Sequence, residues 1–233
     1  MNSHWKTFTD LSLDEAPNKE LAILQEYLCR KSFDQIGAWA AAIVAEADGH
    51  PLISELLHVD EDVLGVYRPR TGHRMSQTGE IEIFWAAIGL VSALNGWDLA
   101  DLTLIILAHE LSHAYTHCGY DADGVQWEGF EEVEPKILEG LAQYFTEIVV
   151  ARMRSLRPNA HCVFESLAQL QTDMYRTHEA WASSGITSEH VRAALLESRS
   201  AQVKKYEEFE KLLFAAQQRN KRERWVMPIQ PPS

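Results

Sequence analysis

The stretch LTLIILAHELSHAYTH, Leu102–His117, decides how the chain is read. Its first half is apolar around most of a helical circumference, the pattern of a helix buried on nearly all sides. Asp98 stands ahead of it as an N-cap, and Asp101 lies in the first turn, where a negative charge meets the positive end of the helix dipole. Polar groups then enter abruptly. His109 and His113 are four residues apart, about 40° of rotation, so both imidazoles leave one face and reach a single point.

Two neutral imidazoles on a rigid helix offer a zinc ion two nitrogen ligands with little ordering cost on binding. Glu110, one residue round the helix, sits beside such a metal and suits a general base for an activated water. Together these residues form the HExxH pattern of zinc peptidases. Histidine and glutamate on the continuation of an apolar helix are costly to bury without partners, and a metal supplies one.

A third protein ligand is required. Glu128, Glu131, Glu132, Glu134 and Glu139 follow in the sequence, and His117 continues the first helix. His117 lies about 6 Å beyond His113 along the helix axis, too far for easy convergence, which assigns it to a supporting or surface position. Glu139 opens the string EGLAQYFTE, Glu139–Glu147, where Gly140 and Ala142 leave room for a close helix neighbour. It is the favoured ligand.

HELSH followed by EGLAQYFTE resembles the gluzincin superfamily of zinc metallopeptidases, in which the HExxH helix precedes a second helix with an E-G-x-A-x-Y-x-x-E string. Carried over position by position, the resemblance implies His109, His113 and Glu139 as zinc ligands and Glu110 as general base, and it spans residues 79–150. Many neutral aminopeptidases of the superfamily have a shorter spacing, which here would select Glu132, in an acidic run before Pro135. The resemblance also implies that GEIEIFW, Gly79–Trp85, is a strand lining the cleft and pairing with an extended peptide. A donor to the developing oxyanion is expected from Tyr144, Tyr175, His178 or His161, with Tyr144 taken as the catalytic candidate.

Around this centre the chain divides readily. Helices are expected at 17–31, introduced by a Ser12/Glu15 capping box, and at 33–47, ended by Gly49, His50 and Pro51. Strands are expected near 63–67 and 79–85, then a helix over 86–94 broken by Asn95 and Gly96. A polar loop over 120–135 leads into helices at 136–155, 160–183 and 188–220. The fold class is therefore mainly helical α+β, and the resemblance implies a zincin-like domain with a small β-sheet and a buried active-site helix. One domain is expected, with N-terminal helices over 1–60, a catalytic core over about 61–155, C-terminal helices over about 156–220 and a loose tail over 221–233.

Composition narrows the function. The 233 residues carry 34 acids against 21 bases, a net charge of −13, which repels phosphate backbones and argues against nucleic acid as a partner. No apolar run approaches the length of a membrane span, and residues 1–20 lack the basic start and apolar stretch of a secretory leader. Cys29, Cys118 and Cys162, odd in number and widely spaced, read as reduced thiols in a cytoplasmic protein. The expected activity is zinc-dependent hydrolysis of a peptide or protein substrate. The rival expectation is a catalytically silent scaffold that binds a partner.

Overall fold

The computed structural model describes residues 16–46, 64–69, 79–119 and 124–226. The Ser12 capping box, the Gly49–Pro51 stop and the tail beyond residue 226 lie outside them. The protein is mainly helical, with a two-stranded antiparallel sheet among the described residues.

Two helices come first, α1 (Ala16–Leu28) and α2 (Phe33–Glu46). Strands β1 (Gly65–Pro69) and β2 (Gly79–Ile83) pair with Gly65 opposite Ile83 and Tyr67 opposite Ile81. Helix α3 (Trp85–Asn95) follows β2 after a single residue and stops at Gly96, which adopts the left-handed conformation that glycine tolerates. Gln25 of α1 ties the strand-to-helix junction together, accepting from the Trp85 amide at 3.0 Å and donating to the Ile83 carbonyl.

Helix α4 (Leu99–Cys118) begins as the sequence requires, with Asp98 accepting a hydrogen bond from the Asp101 amide at 2.9 Å. It is not buried all round. Leu107 and Leu111 are 40% and 51% exposed. They line an apolar groove of about 710 Å³ that Phe145, Ile148 and Val149 close from the other side.

Helix α5 (Pro135–Arg152) packs along α4, with Pro135 in its first turn, where the missing amide is no loss. The loop before it is more than a polar connection. Trp127, Phe130 and Val133, spaced three apart, are core residues, and Phe130–Glu132 form a 3-10 turn.

The helix expected over 160–183 is broken. Helix α6 (Ala160–Leu170) ends where Gln171 turns extended, and a 3-10 turn, Asp173–Arg176, leads into α7 (Thr177–Ser183). The helix expected over 188–220 is also two, α8 (Ser188–Ala201) and α9 (Tyr206–Val226). They part at Gln202, which sits at φ 54° and closes α8 with a hydrogen bond from the Val203 amide to the Ser198 carbonyl. The last helix continues to Val226, so residues 221–226 are helical rather than a loose tail.

Two apolar clusters meet along α4. Its N-terminal half contributes Leu99, Leu102, Ile105 and Ile106 to one, with Leu28, Ile36, Ile88 and Phe164. Its C-terminal half packs Ala114 and Tyr115 against the other, built on Trp127, Leu141, Trp181, Leu195 and Phe209. The histidine pair falls at the junction of the two clusters.

Candidate metal centre

His109 and His113 leave the face of α4 that α5 covers, and Glu139 meets them from the second turn of α5. The Nε2 atoms of the two histidines are 3.1 Å apart. Glu139 Oε2 lies 3.1 Å from His109 Nε2, and Glu139 Oε1 lies 3.5 Å from His113 Nε2. Three donor atoms at zinc–ligand distances of about 2.0–2.2 Å in a tetrahedral arrangement are separated by about 3.3 Å. The separations among the two imidazole nitrogens and the two carboxylate oxygens, 3.1–3.5 Å, bracket that value.

The surroundings keep the Glu139 carboxylate charged. Glu139 Oε2 is buried with only the His109 ring nitrogen close to it, at 3.1 Å and without the alignment of a hydrogen bond, and a metal would satisfy such a charged oxygen. Burial works to raise the Glu139 pKa, but the charge available from His113 and His109 outweighs it and holds the carboxyl far below its ordinary range. Among the described residues, His109, His113 and Glu139 are the group whose donor atoms converge on one point.

Glu110, between the two histidines in the sequence of α4, is buried. Strand β1 crosses it at Gly65, where a methyl group would stand 3.2 Å from Glu110 Oε1 and 2.8 Å from Ile106 Cγ2. Glycine at this position is what lets the strand backbone lie against the carboxylate.

The other acids go elsewhere. Glu132 is exposed and paired with Lys204, while Glu134 accepts from the Tyr206 amide at 2.7 Å and pairs with Lys205 at 3.0 Å. Both carboxyls are held below their ordinary range, Glu132 by its hydrogen bond from Lys204 and Glu134 by its bond from the Tyr206 backbone. Glu128 and Glu131 are also exposed. Gly140 does leave room for a close neighbour, but the neighbour is α7 and not α4: a methyl there would stand 2.8 Å from the Trp181 ring.

Compared with protein-family models, with curated proteins and with solved structures, the chain has no match.

The four oxyanion-donor candidates are dispersed. Tyr175 stacks on His109, with ring centroids 5.9 Å apart and 28° between planes. Tyr144 packs among Phe145 and Trp181, about 140° round α5 from Glu139. His178 is buried against Phe164 with Nε2 3.7 Å from Glu147, and burial lowers its pKa. His161 stands 3.5 Å from Glu165.

His117 is a buried structural residue rather than a surface one. It shares a 2.7 Å hydrogen bond through Nδ1 with the Tyr67 hydroxyl of β1, and Gln126 donates to its Nε2 at 2.9 Å. Burial, assisted by the nearby Arg199 charge, lowers its pKa.

Sequence reasoning missed the partners that hold this region together. Phe130 lies edge-on to His113, with centroids 6.5 Å apart, and closer to His117, at 4.9 Å. The three-residue spacing of Trp127, Phe130 and Val133 was the available signal for it.

Proposed function

We propose that this chain is a zinc-dependent metallopeptidase of the gluzincin type, hydrolysing peptide or protein substrates. The observation that carries the reading is the convergence of His109 Nε2, His113 Nε2 and the Glu139 carboxylate, with the two nitrogens 3.1 Å apart, Oε2 3.1 Å from His109 and Oε1 3.5 Å from His113, and with the buried Glu110 between the two histidines in sequence. His109, His113 and Glu139 would hold the metal, and two nitrogens and one oxygen leave a position open, as in catalytic rather than structural zinc sites. When bound, zinc supplies Lewis-acid polarisation of the scissile carbonyl and lowers the pKa of water.

The chain's own groups do the rest. Glu110 takes the proton of the attacking water and passes it to the leaving amine. Gly65 keeps the β1 backbone against that carboxylate, which limits its rotamers and shields it from bulk water. Tyr175, buried and stacked on His109, is better placed than Tyr144 to face the developing charge.

Three free cysteines among the described residues support a reducing compartment such as the cytosol. No described helix is long and apolar enough to cross a membrane.

The test is Glu110→Gln. The side chain keeps its size but cannot accept a proton, so peptide hydrolysis should fall by about 10²–10⁴-fold while zinc content stays at wild-type level. Wild-type turnover by the zinc-loaded variant would remove Glu110 from the reaction.

A partner-binding scaffold is the second reading. It is favoured by Leu107 and Leu111, which are exposed over the apolar groove and lie about 200° round α4 from His109 and His113 respectively. Binding by such a scaffold would survive the Glu110 change, and there would be no hydrolysis to lose.

A further inference from the structure

The C-terminal turn of α4 is held by a side chain from a distant part of the chain. Arg199 of α8 is completely buried. Its Nε donates to the Thr116 carbonyl at 2.9 Å and its Nη2 to the Tyr115 carbonyl at 2.9 Å. The last four carbonyls of a helix have no partner within the helix. Two of those four in α4 are met by this one guanidinium, and the Trp127 amide meets a third, that of His117, at 2.9 Å.

Arginine suits the position for three reasons. Its planar fork presents donors at fixed spacing, so two adjacent carbonyls are met without reordering the side chain. Its positive charge lies at the negative end of the helix dipole. Its face also lies over the Tyr115 ring, 5.5 Å from the centroid.

The clamp leads directly to a ligand. Thr116, whose carbonyl Arg199 holds, donates its hydroxyl to the His113 carbonyl at 2.9 Å. His113 therefore belongs to a turn pinned from outside the helix, whereas His109 lies one turn earlier and stacks on Tyr175. We propose that Arg199 is a positioning residue for the metal centre: it fixes the last turn of α4 so that His113 Nε2 meets His109 and Glu139. This rests on the metallopeptidase reading above.

Arginine also separates positioning from simple stability. A general loss of core packing lowers the unfolding temperature without rotating the last turn of α4. Loss of the clamp frees that turn and moves one ligand relative to the other two. Removing groups that orient metal ligands typically costs 10–100-fold in metal affinity.

The experiment compares the full-length wild type with Arg199→Met, Arg199→Lys and Ile36→Ala. Ile36 is a buried α2 residue far along the chain from the clamp and serves as a control for lost stability. Zinc affinity is measured by chelator competition, and the cobalt-substituted proteins are compared by their visible d–d spectra. Arg199→Met should weaken zinc binding by about 10–100-fold and alter the cobalt spectrum. Lysine keeps the charge but lacks the planar fork that meets both carbonyls at fixed spacing, so Arg199→Lys should recover part of the affinity. Ile36→Ala should unfold at a lower temperature with zinc affinity and cobalt spectrum unchanged.

Wild-type zinc affinity in Arg199→Met, or in Arg199→Lys if the Met variant does not fold, overturns the proposal. An equal loss of affinity in Ile36→Ala also overturns it. A wild-type protein that takes up no zinc overturns the metallopeptidase reading itself, and this inference with it.

Discussion

Gly65→Ala separates the role proposed for Glu110 as general base from the proposed metal centre. The added methyl would stand 2.8 Å from Ile106 Cγ2 and 3.2 Å from both Glu110 Cγ and Oε1. Carbon atoms in ordinary contact are about 3.5–4.0 Å apart, so the strand or the two side chains must yield by roughly 0.5–1 Å. Ile106 is packed in the core and cannot retreat freely. Part of the movement therefore falls on Glu110. A misplacement of about 1 Å in a catalytic constellation costs on the order of 10²-fold, which gives an expected fall in kcat of about 10–100-fold. Overpacking of this kind costs about 1–3 kcal/mol of stability. The backbone itself is no obstacle, since Gly65 is not among the glycines at positive φ. Peptide-hydrolysis kinetics, metal analysis and thermal unfolding of the same preparation read the three effects. Zinc content should stay at wild-type level, because the methyl meets no ligand. Wild-type kcat, or loss of zinc with kcat per bound zinc unchanged, would refute the proposed role of Glu110 as the base that β1 positions.

Three further outcomes are expected. Glu139→Ala should weaken zinc binding by more than about 100-fold, beyond the usual range for residues that only orient ligands, while Glu132→Ala, which loses a surface pair with Lys204, should bind zinc normally by chelator competition. Gly140→Ala, whose methyl would meet the Trp181 ring at 2.8 Å, should lose about 1–3 kcal/mol in denaturant unfolding followed by tryptophan fluorescence. His117 has its pKa lowered from the ordinary 6.5 by burial and by Arg199, so the unfolded chain binds its proton at higher pH than the folded protein does. Its contribution to stability is thus present above about pH 6.5 and lost as the pH falls through the lower folded value. His117→Gln should flatten this pH dependence in thermal unfolding between pH 7 and 5, and an unchanged slope would count against it.

The local rules of the chain determined much of this protein. Asp98 caps α4 and Gly96 ends α3 because caps and left-handed glycines act within a few residues. His109 and His113 share a face because helical periodicity puts them there. The mainly helical class with a small antiparallel sheet among the described residues follows from the same periodicities; the second strand lies within its expected stretch, while the first overlaps 63–67 and runs on to Pro69.

Tertiary structure decided what depends on distant parts of the chain. Glu132 and Glu139 are both glutamates after the HExxH helix, and only the packing of α5 on α4 sets one between the histidines and leaves the other at the surface with Lys204. Gln202 ends α8 at positive φ without glycine's freedom; its side chain offsets the cost by donating to the Arg199 carbonyl at 2.6 Å and to the Gln126 carbonyl of a distant loop at 3.3 Å. The exposed stripe of Leu107 and Leu111 cannot be told from a buried one by hydrophobicity, because burial is a property of neighbours. Arg199 reads in the sequence as one more charged residue on a helix. Its role arises from the 83 positions of chain that folding closes to bring it to the Thr116 carbonyl.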